Sequence, residues 1–165
     1  MNQLYYLNVT LHVLAALLWL GGMFFLAVVG APVLRTVEPP ALRAELFRRL
    51  GERFRTVGWV AIVILVLTGL LNLHYRGMLS AELWGSPRFW GTRYGTALAW
   101  KLGAVTVMVA NSAVHDFLSG PAAARLEAGT PAALAARRRA AWFARANALV
   151  GLVVVVAAVR LARGG

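Results

Sequence analysis

No Asp, Glu, Lys or Arg occurs in this chain before Arg35. A run that long, dominated by Leu, Val, Ala and Phe, must be buried in a large core or in a bilayer. A transmembrane helix takes about 20 mostly apolar residues, and the run exceeds that. It is also too long for the apolar part of a secretion signal, and nothing basic precedes it. Residues 4–33 therefore read as a retained membrane span.

The same test finds three more spans, at residues 57–75, 96–118 and 146–159. The second holds an unbroken apolar stretch over 60–67. The third carries Lys101 as its one early charge, and the fourth follows Trp142 and Phe143 and ends at Arg160. Composition agrees: 60% of the 165 residues are hydrophobic, against about 45–50% in soluble domains, and the mean hydropathy is +0.68. Combined with a formal charge of +11, this excludes a soluble globular enzyme, a disordered basic tail and a nucleic-acid arm. The absence of cysteine removes disulfides, thiolate-held haem or iron–sulfur clusters and zinc–thiolate sites. The expected fold is all-α: an integral membrane four-helix bundle, with residues 1–165 forming a single transmembrane domain.

Charge between the spans sets the expected orientation. Arg35, Arg43, Arg48, Arg49, Arg53 and Arg55 lie between spans one and two, and Arg125, Arg137, Arg138, Arg139 and Arg145 between three and four. The second loop has only Arg76, Arg88 and Arg93, and the C-terminus only Arg160 and Arg163. The positive-inside bias puts both termini outside and the Arg-rich loops in the cytoplasm of a bacterial inner membrane. Tyr5, Tyr6, Tyr75, Trp84, Phe89, Trp90, Tyr94 and Trp100 then gather at the outer interface, with Trp59 and Trp142 at the inner one.

After Glu38-Pro39-Pro40, Leu42, Leu46, Leu50 and Phe54 recur every four residues among Arg and Glu. That period and the prolines predict a short amphipathic cytoplasmic helix before span two, lying on the membrane or extending the span downward. Its arginines read first as determinants of topology and solubility. Residues 121–141, rich in Ala, predict another short inner helix.

Ionisable groups inside a membrane are costly, so each is a functional candidate. They are His12, His74, Lys101 and His115, the last beside Asp116, and no Asp or Glu lies within an apolar span. That argues against carboxylate-based proton coupling. Counting along the helices, His12, His74 and Lys101 belong to one outer layer, while His115 falls about 21 Å below Lys101. Two imidazoles facing each other across apolar helices are natural axial ligands of haem b. Gly21, Gly22 and Gly69 leave room for a flat ring, and Lys101, Arg76 and Arg93 are at hand for its propionates.

Bis-imidazole ligation leaves no open iron position, so a small cytochrome for electron transfer or redox sensing is the first expectation. Blander readings stand beside it. His74 also suits a headgroup, Lys101 can extend its amine to the interface, and His115 suits a polar cluster with Asn111 and Asp116. Asn72, Asn111 and Asn147 suit interhelical hydrogen bonds. Copper is the competing metal, with Met23, Met78 and Met108 as soft donors, though their scatter fits core filling better. The expected partners are membrane lipid, haem, a redox protein and a further copy of the chain, and not nucleic acid.

Span one reads Leu11-His12-Val13-Leu14-Ala15-Ala16-Leu17-Leu18-Trp19-Leu20-Gly21-Gly22-Met23-Phe24-Phe25. It resembles the first helix of the copper-resistance D domain and of the related four-helix HemJ-type protoporphyrinogen oxidases. Thr68-Gly69-Leu70 in span two and Ala99-Trp100-Lys101-Leu102 in span three are similar to the same group. The resemblance implies a haem-ligand role for His12 and a functional role for Lys101. It adds two alternatives: a protoporphyrinogen IX oxidase with His12 alone on the iron and Lys101 anchoring substrate carboxylates, and a copper uptake or transfer protein. The third-helix histidine of the HemJ-type proteins falls at Ser112 here, and His115 is out of register with it.

Overall fold

In hydrocarbon a chain must satisfy its own backbone N–H and C=O groups, which leaves the apolar runs little choice but the helix. The computed structural model describes residues 3–119 and 130–164, and among these there are helices and turns but no strand. In chain order they are α1 (Gln3–Arg35), α2 (Pro40–Tyr75), α3 (Ala81–Trp84), α4 (Pro87–Trp90), α5 (Arg93–Ser119) and α6 (Pro131–Ala162). Four are long and apolar enough to cross a membrane: α1, α2, α5 and, within α6, Arg145–Ala162. The expected spans are thus all present.

Of the two arrangements expected for the segment holding Leu42 and Phe54, the structure has the one that extends span two: the segment is the first part of α2, which runs unbroken for 36 residues. No proline interrupts it after Pro40, whose missing N–H is harmless in a first turn. At 1.5 Å per residue α2 is about 54 Å long, well beyond a hydrocarbon core of about 30 Å. Its surplus is the charged part, where Arg48 pairs with Glu45 (2.7 Å) and Glu52 (2.8 Å), and Arg49 with Glu45 (2.6 Å). Likewise, residues 131–141 of the expected inner helix are the beginning of α6. Residues 121–129 of that expectation lie outside the described residues.

α2 stops at a defined place. Gly77 takes φ +66°, its N–H donates to the His74 carbonyl (2.9 Å), and the Met78 N–H donates to the Leu73 carbonyl (2.8 Å). This is a Schellman termination, which needs a residue at ease in the left-handed region. α1 contains two π-helical turns, Leu17–Gly21 and Leu26–Gly30, and α5 ends in a third, Val114–Ser119.

The chain divides into two compact units, Met1–Leu83 and Trp84–Gly165. In the first, α1 and α2 pack antiparallel. Ala15, Trp19, Ala61 and Ile62 are buried along the seam. The Trp19 ring edge comes down on Gly58, 3.6 Å from where a Cβ would stand, and the Phe54 ring lies on Gly22. At one end Tyr5 meets Tyr75 edge-on, with centroids 5.6 Å apart, and the Arg76 guanidinium donates to the Tyr5 hydroxyl (3.4 Å).

In the second unit, α5 and α6 bury Leu98, Ala104, Met108, Val154, Ala157 and Leu161. Trp84, Phe89 and Trp90 cluster edge-on before α5. The Trp90 indole N–H donates to the Trp84 carbonyl (2.9 Å), and the Thr92 hydroxyl caps α5 by accepting from the Gly95 N–H (3.0 Å). The asparagines do join helices. Asn111 Nδ2 donates to Asn147 Oδ1 (2.7 Å), and Asn147 Nδ2 donates to Ser112 Oγ (3.1 Å).

Asn147 is buried and holds two partners at once. An Asn147→Leu variant is expected to lose about 1 kcal/mol, the scale of polar contacts between membrane helices. Reversible unfolding in detergent micelles measures it, and an unchanged midpoint would show the cluster to be energetically idle.

Candidate functional site

The chemistry-bearing residues of the first unit sit on two helix faces. Asn8 and His12 are four residues apart on α1, and Thr68 and Asn72 four apart on α2. Residues at that spacing share a face, and the antiparallel packing turns the two faces toward each other. Asn8 is buried and its Nδ2 donates to the Thr68 carbonyl (3.0 Å) and to Asn72 Oδ1 (2.9 Å). One turn along, half-buried His12 places Nδ1 2.8 Å from Thr68 Oγ1. Its Cε1 edge rests over Gly69, 3.5 Å from a would-be Cβ.

The direction of the His12 bond follows from the hydroxyl's other contact. Thr68 Oγ1 lies 2.6 Å from the Ile64 carbonyl oxygen, and a carbonyl can only accept. The single hydroxyl proton is therefore committed to Ile64, so Thr68 Oγ1 accepts from His12 Nδ1–H. The imidazole is held as the Nδ1–H tautomer, with its basic lone pair on Nε2. A second-shell oxygen on one ring nitrogen is the usual way of presenting the other to a metal.

His74 is placed differently. From Thr68, which touches His12, it lies six residues further along α2, about 9 Å up the axis and about 240° around it. Its side chain is exposed and neighbours the Tyr75 ring, with centroids 6.0 Å apart. The structure does not bring the two imidazoles face to face. The level count placed both near one end of the helix pair, but level alone does not set the face.

Arg76 shares that end, on Tyr5. Lys101 and Arg93 both lie on α5 in the second unit, Lys101 half-buried and Arg93 exposed at the start of the helix. His115 pairs with its neighbour, Nδ1 to Asp116 Oδ1 at 2.9 Å, inside the terminal π turn. Asn111 turns instead to Asn147 and to the Phe143 carbonyl (3.4 Å). Of the methionines, Met108 is fully buried in the α5–α6 core, as a core filler would be. Among the described residues, no three His, Cys, Asp or Glu side chains come together as a metal-holding group.

Sequence reasoning did not assign Thr68 as the partner of His12, nor Asn8 to the site. The signal was there: polar residues at i, i+4 spacing in two otherwise apolar spans.

These spans and this helix-held imidazole define an integral membrane protein of helical type. Residues 48–161 match the family described as copper resistance protein D (CopD). An uncharacterized protein of Aquifex aeolicus (strain VF5) is 32% identical over 155 residues, covering 93% of this chain and 92% of that relative. The chain belongs to the copper resistance protein D family. Its matched segment begins within α2, so His12 precedes it. No solved structure matches significantly.

Proposed function

We propose that this protein carries copper within or across the membrane, with His12 Nε2 as the ligand it offers. The observation that carries the reading is the bond from His12 Nδ1–H to Thr68 Oγ1, which puts the lone pair on Nε2 in the way a second-shell oxygen orients a metal-binding histidine. Imidazole suits copper among other metals, and the family's description favours copper as the cargo. No larger donor cluster occurs among the described residues. The arginine distribution supports an orientation with both termini outside and the charged part of α2 in the cytoplasm of a bacterial inner membrane.

A second reading rests on the same tautomer. An iron porphyrin would take His12 Nε2 as readily as copper does, and the HemJ-type resemblance of span one favours it. In that case His12 is the one axial ligand the helix pair supplies, since His74 faces elsewhere. Lys101, Arg76 and Arg93 would then be the cations for propionate or substrate carboxylates.

Metal and pigment content separate these readings. Protein expressed with copper and purified in mild detergent is expected to retain copper, by elemental analysis, and to show no Soret band. A Soret band without copper would replace the first reading by the second. Protein that is both colourless and copper-free after copper is added back would overturn both.

A further inference from the structure

A second feature lies in the other unit. Along one side of α5, Thr96, Trp100, Gly103 and Val107 line an open groove of about 560 Å³, bordered by Val150 and Val153 of α6. Two of its polar groups are already used, since Thr96 Oγ1 donates to the Trp90 carbonyl (3.1 Å) and the Trp90 indole N–H to the Trp84 carbonyl (2.9 Å). Most of the remaining lining is hydrocarbon, and Trp100, Val107 and Val153 are exposed along it. From Thr96 to Val107 the groove runs about 16 Å along the helix, close to one leaflet's share, about 15 Å, of a hydrocarbon core.

The end of the groove is not apolar. Arg93 precedes Thr96 by three residues on the same face, in the first turn of α5, and is exposed. Trp90 lines this end and Trp100 the next turn in, and such rings favour the headgroup level. Thus a cation and two indoles mark the head of an apolar channel one leaflet deep. A lone apolar groove would suit any greasy surface, but this order of charge, indole and hydrocarbon matches that of a single lipid.

We infer that the α5–α6 groove is a seat for one phospholipid of the surrounding bilayer, with an acyl chain along Gly103 and Val107 and the phosphate at Arg93. Gly103 makes the seat testable. A Cβ added there meets nothing within 4 Å, so Gly103→Phe fills the groove without forcing the helix pair apart.

The full chain, purified in mild detergent and supplemented with phosphatidylglycerol, is examined by native mass spectrometry. Wild type is expected to retain one phosphatidylglycerol at collision energies that strip bulk lipid and detergent. Gly103→Phe is expected to lose that adduct, and Arg93→Gln to release it at lower energy, both with unchanged helicity by circular dichroism. If Gly103→Phe proves unfolded, Val153→Phe fills the groove from the α6 side and is expected to lose the adduct. Retention of the lipid by a folded, groove-filled variant would overturn the assignment. So would a lipid-free wild-type dimer that Gly103→Phe converts to monomer, because the occupant would then be a second copy of the chain.

Discussion

Replacing His12 by alanine is expected to abolish copper retention by the purified protein, and Thr68→Val to weaken it by about 10–100-fold, the usual range for losing a second-shell partner. The two substitutions act on the same nitrogen by different routes. Alanine removes the ligand. Valine keeps the shape of residue 68 and the helix around it but deletes the oxygen that accepts from Nδ1–H (2.8 Å), so both tautomers become available. Thr68→Ser, which keeps the hydroxyl and its bond to the Ile64 carbonyl, should restore most of the affinity. Competition titration of copper against a chelator of known affinity reads all three. Wild-type affinity in His12→Ala would remove this residue from the metal's path, and equal affinities for Thr68→Val and wild type would show that the hydroxyl does not govern the imidazole.

The largest effect on stability is expected at Gly95. A Cβ there would run into the backbone of Phe89, at its carbonyl oxygen and carbon, and into Trp90 Cα at 3.0 Å. Backbone cannot swing aside as a side-chain tip can, so Gly95→Ala must push α4 away from α5. That displaces Thr92, which caps α5 at Gly95 and donates from its own N–H to the Phe89 carbonyl (3.0 Å). Overpacking of this kind costs about 2–3 kcal/mol. Gly103→Ala is the control, with the same added methyl on the same helix but open space around it. There the better helix propensity of alanine should give a gain of up to about 1 kcal/mol. Unfolding midpoints of the two variants in one detergent make the comparison, and equal midpoints would contradict it.

The spans were readable because hydrocarbon enforces one rule on every residue: twenty apolar positions without charge leave the helix as the backbone's way across. Residues 4–33 and 57–75 therefore correspond closely to parts of α1 and α2. The continuity of α2 was harder, since the change from charged to apolar residues near Thr56 marks where water ends and not where hydrogen bonding stops. The site divides in the same way. His12 stood out as an ionisable group in an apolar run, but its partner did not. Thr68 carries no charge, sits among Ile64, Leu65 and Gly69, and becomes visible only when the antiparallel register brings it to His12. His74 shows the converse, because residue counts give height along a helix, whereas the facing of a ring depends on the angle as well.

Thr68 lies on the same uninterrupted rod that begins at Pro40, far beyond the apolar stretch. With no hinge between its arginine-studded base and the hydroxyl that grips His12, tilting that base must swing the grip with it. A partner protein or an anionic leaflet pulling on Arg48 and Arg49 would thus act on the imidazole from a distance, by leverage alone.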